Sequence, residues 1–409
     1  MPYFNYTIRD ANGQTRSGKV EAPNAEELRK RLQAEGLQVI EITEDRKAPR
    51  VPAGGYGRVK LSDLAIFARQ FSTMLDAGVS LIRCLDVLQA QTNNARLRKI
   101  LLDLSARVES GESLSRSMAR HPKAFSQLII GLIRAGEVGG VLEESLQRIS
   151  AFLEKDVELR RKIRSAMTYP VIVLLAAIGI VIFLVSWLVP QFAELFKELG
   201  ITEDKMPAPT KFLVDLSALF TQRWYVVIIT VVAILIAYKL FVSTRVGRRV
   251  ADRVKLRVPV FGPLHHKIVM ARFSRTMGTL LASGVPILQA METVAGVVGN
   301  SIVSDAVIES RARIREGEKI ADPLQRSKMF PPMVVHMVSV GEESGSLDHM
   351  LNKIADFYEN EVEMTIASLT AAIEPVMIVL LGVIVGFIVI AMFLPMIEVI
   401  SNLSQQQGS

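Results

Sequence analysis

The sequence predicts a mainly α, polytopic membrane protein with two repeated cytoplasmic helical bundles, three transmembrane helices and a small N-terminal α/β module. Three observations indicate this class: three long apolar runs, one segment that occurs twice, and alternating polarity near the N-terminus. Half of the 409 residues are hydrophobic although 22% are charged, as expected for soluble domains joined to a few spans. The single cysteine, Cys84, excludes a disulfide framework and a multi-cysteine zinc site.

The α/β module is predicted over residues 1–44. Residues 3–10 and 14–22 alternate in polarity like two strands, joined by an Asn-Gly turn at 12–13. A helix over 24–36 and a third strand follow. The N-terminus lacks the apolar run of a signal peptide, so we expect no cleavable signal.

One motif in this module approaches a phosphate-binding loop and departs from it at the last position. Residues 13–18 and Lys19 fit the pattern, but Val20 stands where a Ser or Thr hydroxyl would bind Mg²⁺. The segment also alternates as a strand, whereas such loops hold phosphate at a helix N-terminus. We therefore expect no nucleotide binding here.

One unit of the sequence occurs twice, as a helical domain followed by a span. At an offset of 206, then 205, identical residues recur, and the match extends to Pro170 with Pro375 and Pro190 with Pro395. The matched pairs include Phe67 and Phe273, Arg69 and Arg275, Gly78 and Gly284, Asn94 and Asn300, Gly111 and Gly317, Glu112 and Glu318, Gly136 and Gly341, Glu137 and Glu342, and Glu154 and Glu359. Apolar residues recur every three or four positions between glycine breaks, which predicts about six helices per unit.

Three apolar runs of 19 residues, at 171–189, 224–242 and 376–394, are each long enough to cross a membrane. A buried soluble helix is the alternative, but such helices rarely lack a polar face over this length. The predicted domains are the α/β module 1–44, a linker 45–61, bundle 1 at 62–168, the first span 169–190, an external connection 191–223, the second span 224–242, a basic cytoplasmic connection 243–266, bundle 2 at 267–374, the third span 375–395 and an external tail 396–409.

Lys and Arg cluster before the first span and after the second, whereas the tail after Leu394 has none. The positive-inside bias therefore places residues 1–168 and 243–375 in the cytoplasm. Trp187 and Trp224 then lie at the outer interface. The net charge of +7 follows from this topology, so we predict no nucleic-acid partner.

Three residue sets are candidate functional features. Gly136-Glu137 and Gly341-Glu342 are candidate partner-interface residues, because a Gly-rich turn explains the glycines but not a glutamate in both copies. Each glutamate either caps the following helix, which we favour, or accepts a partner's arginine. Pro170 and Pro375 are candidate hinges, with a helix start at N1 as the alternative. Gly382 and Gly386 form a GxxxG pattern, either a packing site between transmembrane helices or incidental.

No catalytic or metal-binding constellation is present in the sequence. The histidines lack ligand partners at metal spacing, and we expect His265 and His266 to lie in a solvated loop. Cys84 is expected in the core of bundle 1. The sequence thus predicts neither a cofactor nor an enzyme.

Several segments together resemble the family of type IV pilus inner-membrane platform proteins (PilC) and type II secretion F proteins. They are IFARQFSTMLDAGVSL, VESGESL, LIRAGEVGG, EKDVELRRKIRSAMTYP and the second-copy forms ARFSRTMGTLLASGVPIL and MVSVGEESGSL. The resemblance implies oligomerisation in the inner membrane, contact with a cytoplasmic hexameric assembly ATPase, with pilin subunits and with other inner-membrane assembly proteins, and movement of pilins from the bilayer into a filament. A secretion platform is the alternative within the family, and a subunit of a membrane transporter is the alternative outside it.

Overall fold

The computed structural model describes residues 3–9, 15–21, 29, 38–44, 58–198 and 206–406. The chain divides into two compact units, residues 1–59 with 89–100 and residues 60–88 with 101–409. The first unit contains the predicted sheet, and the second contains most of the helices.

Three antiparallel strands form the sheet: β1 (Tyr3–Arg9), β2 (Thr15–Glu21) and β3 (Gln38–Glu44). Their order is β2-β1-β3, and a bulge interrupts the β1–β3 register between Thr7 and Ile8. These strands confirm the predicted β pattern, and residues 15–21 are a strand where a phosphate loop would begin a helix. The predicted turn at 12–13 and, apart from Arg29, the predicted helix over 24–36 lie outside the described residues.

Each helical bundle contains six helices, all within the described part of the chain. Bundle 1 comprises α1 (Leu61–Asp76), α2 (Leu81–Gln91), α3 (Ala95–Glu109), α4 (Leu114–Ala119), α5 (Gln127–Gly139) and α6, which begins at Leu142. Bundle 2 comprises α11 (Phe261–Ala282), α12 (Ile287–Val297), α13 (Ser301–Arg315), α14 (Ala321–Arg326), α15 (Pro332–Ser344) and α16, which begins at Leu347.

Several residues that recur in the two copies have the same role in both bundles. Arg69 pairs with Glu154 at 2.9 Å between Nε and Oε1, and Arg275 pairs with Glu359 at the same distance between the same atoms. Each pair joins the first helix of its bundle to the last. The matched glycines Gly78 and Gly284 both have positive φ, 77° and 76°, as the predicted left-handed caps require.

The expectation of a solvated loop at His265 and His266 is wrong, because both residues lie in the first turns of α11. His266 Nε2 lies 2.8 Å from the Met329 carbonyl oxygen, and His265 Nε2 lies 3.5 Å from Asn300 Nδ2. The helix begins earlier than the predicted boundary at 267, so these rings pack against the bundle.

Three helices in the described residues are long and apolar enough to cross a membrane. The first is α6 (Leu142–Phe183), which continues through a π-helical segment (Leu184–Leu188) into α7 (Val189–Glu198). The second is α9 (Trp224–Ser243), preceded by α8 (Ala208–Thr221) and followed by α10 (Arg245–Arg257). The third is α16 (Leu347–Gln406), which stays helical past the predicted start of the tail at 396.

The π-helical segment has a cause in the sequence. Pro190 carries no N–H and cannot donate to the carbonyl of Ser186, one turn earlier. A wider π turn absorbs this missing bond without ending the helix. The Ser186 hydroxyl instead donates to the Ile182 carbonyl at 2.7 Å.

Candidate functional site

The Gly-Glu pairs lie inside α5 and α15, near the end of each helix, and not in the following turn as predicted. Each glutamate caps a short helix that precedes it in the chain. Glu137 accepts from the Ser115 N–H at 3.2 Å, at the start of α4. Glu342 accepts from the Ile320 N–H at 2.9 Å and the Ala321 N–H at 3.4 Å, at the start of α14. A carboxylate is favourable there because the first N–H groups of a helix lack partners and carry partial positive charge.

The favoured interpretation was therefore right about a cap and wrong about the helix. The following helices α6 and α16 begin beyond the turn, whereas the glutamate side chains lie beside helices 22 residues earlier. Both side chains remain half-exposed, so a contact between these turns and a partner stays a prediction.

The glycines of the same turns are required by close packing between helices. A Cβ on Gly136 would lie 2.8 Å from Ser145 Cβ, and one on Gly341 would lie 3.0 Å from the Leu347 Cα. Both glycines are buried, and the carbonyl of each accepts the N–H of the left-handed glycine that ends its helix, Gly140 or Gly345. The turn thus brings α5 against α6 and α15 against α16.

The two long helices α6 and α16 lie side by side just before their spans. Leu264, Val362 and Ile366 are buried together there. Partly buried apolar residues from α6, α11 and α16 pack against them: Leu159, Ile163, Ala166, Ile268 and Leu369. We call residues 159–169 with 362–374 the neck.

Two polar contacts cross the neck, and one of them joins positions that the repeat makes equivalent. Lys162 Nζ lies 2.9 Å from Glu363 Oε2 and 3.4 Å from Glu158 Oε1, and Glu158 and Glu363 are repeat partners. The pairing with Glu363, and then with Glu158, raises the pKa of Lys162. The Tyr169 hydroxyl donates to Glu374 Oε1 at 3.3 Å, so the residues before the two prolines also meet.

Sequence reasoning missed this pairing of the two copies. One signal in the sequence pointed to it: Tyr169 and Glu374 are equivalent positions of the repeat, 205 residues apart, and a proline follows each of them. Periodicity along one helix cannot show that its equivalent in the other copy lies beside it.

Pro170 and Pro375 lie inside continuous helices, not at helix starts. The alternative of proline at N1 is therefore wrong for both. Pro170 is buried and Pro375 is exposed, so equivalent residues have different surroundings. Each proline removes one backbone hydrogen bond directly after the neck. A hinge role for them remains a prediction.

The connection between the first two spans folds onto the ends of the first and third. Val185, Phe196 and Leu213 are buried against Ile388 and Met392 of α16. The buried Thr210 hydroxyl donates to the Ala391 carbonyl oxygen. The far end of α16 is thus bound to the π-helical segment, α7 and α8.

Open space surrounds the Cα positions of Gly382 and Gly386 within the described chain. A Cβ on either would meet no atom within 4 Å. The second span, α9, likewise has no buried residue. Packing at the GxxxG pattern therefore requires a second molecule and remains a prediction.

Among the described residues, no group of three His, Cys, Asp or Glu side chains is placed to hold a metal ion. Cys84 is fully buried, as expected for a core residue, and burial raises the pKa of its thiol. The arrangement thus consists of packing contacts and helix caps joined to membrane spans.

Comparison with known proteins matches both copies of this unit to one family. The family described as type II secretion system (T2SS), protein F, matches residues 67–190 and 273–395. The family of its N-terminal domain matches residues 1–43. The two segments agree with the internal repeat and extend through the spans that end each copy.

Relatives match over nearly the whole chain. A type IV pilus assembly protein PilC from Thermus thermophilus is 46% identical, covering 99% of this chain and 100% of its own length. One with the same name from Myxococcus xanthus is 41% identical, covering 96% and 94%. A type II secretion system protein F from Vibrio cholerae is 33% identical, covering 99% and 100%.

Proposed function

This chain belongs to the type II secretion system protein F family, which makes it a platform protein of pilus and secretion machines, and we propose from that premise a specific role. It is the non-enzymatic inner-membrane platform of a type IV pilus machine. It couples a cytoplasmic hexameric ATPase to extraction of pilins from the membrane into the filament. The pilus assignment is favoured over secretion because the relatives at 46% and 41% identity bear the pilus name.

The neck is the observation that carries this proposal. The last helix of each bundle runs without interruption into a span, and the two meet through Lys162, Glu363, Tyr169 and Glu374. A cytoplasmic motor that displaces one bundle relative to the other therefore shifts the two spans against each other at the neck, and a link that prevents this shift blocks the coupling. The bundles lie in the cytoplasm in this proposal, and residues 191–223 and the C-terminus lie outside.

A cross-link across the neck tests the coupling in the full chain. In a Cys84→Ser background, Tyr169→Cys and Glu374→Cys are joined by a short bis-maleimide. We expect the linked protein to stay in the membrane and bind its ATPase while filament assembly is lost. The unlinked double variant controls for the substitutions themselves.

A matched control joins two helices within one bundle. Arg69→Cys with Glu154→Cys replaces a contacting pair on α1 and α6, and its cross-link leaves the neck free. We expect assembly to continue. Normal filament numbers with a linked neck would rule out coupling through it.

Secretion of a folded substrate in place of filaments, with a secretion ATPase co-purified, would identify the secretion platform.

A further inference from the structure

The segment that follows the second span is strongly basic and begins at the membrane. Residues 244–260 contain six Lys or Arg and one acidic residue, Asp252. Helix α9 ends at Ser243, and Thr244 caps α10 by accepting the Gly247 N–H at 3.0 Å. A Cβ on Gly247 would lie 2.6 Å from the Phe241 carbonyl carbon, so the chain turns within one residue of the span. Helix α10 therefore starts at the membrane surface.

One face of α10 is held firmly against bundle 2. Asp252 is buried and accepts the Ser301 N–H at 3.0 Å, at the start of α13. Asn300 Nδ2 donates to the Asp252 carbonyl at 3.2 Å, and Arg249 pairs with Asp305 at 3.2 Å. The only acidic side chain of the segment is thus turned inward, and α10 cannot rotate freely.

The opposite face carries a stripe of exposed valines. Val246 is 71% exposed, Val250 44%, Val254 52% and Val258 36%. Because residues four apart lie on one side of a helix, these side chains form a continuous apolar strip. Arg253 and Arg257 interleave with them and form no ion pair in the described part of the chain.

The turn after α10 extends the strip at a conformational cost. Val260 has φ 73°, and the Phe261 N–H donates to the Pro259 carbonyl at 2.9 Å, as in a γ-turn. A positive φ is strained for a β-branched residue. Val260 and Phe261 are nevertheless 54% and 45% exposed. The strained turn thus presents two more apolar side chains, which bury little area within the described chain.

We propose that α10 and the turn at 258–261 form a binding surface for anionic phospholipid, lying in the plane of the membrane beside α9. The valines and Phe261 enter the boundary between headgroups and acyl chains. Arg253 and Arg257 bind lipid phosphate. A basic amphipathic helix with this division of faces is the type that lies in a membrane interface. Continuity with α9 selects lipid over other occupants, since the strip starts where the span leaves the bilayer.

This inference is independent of the motor partner and goes beyond the proposed function. Bundle 2 would be held against the bilayer by a third contact, in addition to α9 and α16. The orientation of bundle 2 relative to the membrane would then depend on the lipid headgroups.

Fluorescence in proteoliposomes tests the position of the strip. In a Cys84→Ser background, the full chain carries one cysteine at Val250 or Val254, labelled with the environment-sensitive dye NBD. We expect blue-shifted emission and quenching by phospholipids brominated in the acyl chains. Arg248→Cys, also exposed but on another side of α10, is the matched control and should stay quenchable by aqueous iodide. Equal iodide quenching at Val250 and Arg248 would overturn the proposal.

Lipid retention tests the charge. The protein purified from vesicles of phosphatidylcholine with phosphatidylglycerol should retain phosphatidylglycerol selectively, as counted by native mass spectrometry. Arg253→Gln with Arg257→Gln should lower that retention about fivefold for each arginine. Lys353→Gln, a basic residue distant in sequence on α16, is the control. Unchanged retention would contradict phosphate binding.

A second copy of the chain is the other possible occupant. Protection of the label at Val250 from iodide that grows with protein density, with cross-linking between Val250→Cys copies, would identify it and overturn the lipid proposal.

Discussion

At the scale of single residues, the side chains that recur in both copies hold each bundle together. Phe67 lies 6.3 Å from Phe125 between ring centroids, and the equivalent Phe273 lies 4.8 Å from Phe330. Glu112 pairs with Arg120, and its equivalent Glu318 pairs with Arg326. In each of these pairs, losing one partner leaves the other without its contact.

The glutamate caps yield the first prediction. Glu137→Gln with Glu342→Gln removes the charge that faces the first N–H groups of α4 and α14. We expect each change to lower the stability of its bundle by about 0.5–2 kcal/mol. Hydrogen exchange at the Ser115 and Ile320 amides should accelerate. The full chain should also unfold at a lower temperature.

Glu343→Gln, one residue away and largely exposed, is the control for this pair. Unchanged exchange at both amides would contradict the capping role. Normal stability with lost ATPase binding would instead assign the turns to a partner contact.

His265 yields a prediction of pH dependence. Burial lowers the pKa of His265 from its ordinary 6.5, and the nearby charges of Lys255, Arg272 and His266 act the same way while Asp252 opposes them. The folded state therefore favours the neutral ring. The contribution of the neutral His265 ring to the stability of the folded state is complete above pH 6.5. It is lost as the pH falls through the pKa of His265 in the folded state.

Thermal unfolding between about pH 7 and pH 5 checks this expectation. The wild type should lose stability on acidification, and His265→Gln should lose less of it. His336→Gln replaces an exposed histidine of bundle 2 and should follow the wild type. An identical pH profile for His265→Gln would show that this ring does not contribute.

At the scale of elements, the first and third spans are continuations of the last helix of each bundle. Helix α6 has a charged first part, in which Arg160 donates to Asp156, and an apolar span as its second part, and Pro170 lies where the two parts meet. Helix α16 has the same plan with Pro375. A continuous helix transmits tilt, and a missing backbone bond lowers its resistance to bending at one point.

The third prediction concerns these prolines. Pro170→Ala with Pro375→Ala restores hydrogen bonds to the carbonyls of residues 166 and 371 and should stiffen both helices, by up to about 3 kcal/mol each. We expect a stable, membrane-inserted protein that binds its ATPase but assembles few filaments. Electron microscopy of filaments and co-purification of the ATPase measure the two effects.

Pro395→Ala is the matched control, because Pro395 also lies inside α16 but far from the neck. It should assemble normally. Normal filament numbers in the Pro170 and Pro375 double variant would leave the prolines without a hinge role.

At the scale of the whole molecule, much apolar surface remains uncovered by the single chain. Helix α9 buries no residue, and open space surrounds Gly382 and Gly386 of α16 within the described chain. In a membrane without other contacts, lipid covers these surfaces. Small residues on such a face allow two helices to approach closely.

The fourth prediction follows from that uncovered face. Gly382→Leu with Gly386→Leu should leave the chain folded, because a Cβ at either position meets no atom within 4 Å. If copies pack there, the added side chains separate them, and native mass spectrometry should show smaller assemblies. Gly179→Leu, at an equally open position in α6, is the control. Unchanged assembly size would place the contact elsewhere.

Patterns in the amino-acid sequence were enough to predict the fold class, the repeat, the three spans and the strands of the N-terminal sheet. Each depends on local information: a period of two or 3.6 residues, an apolar length, or a glycine at positive φ. Which side chains and helices contact each other could be seen only in the folded structure. Glu137 caps the preceding short helix, Tyr169 meets Glu374, and α10 turns its valines outward while burying Asp252. These contacts join residues far apart in the chain and depend on how the helices pack, so no local pattern records them.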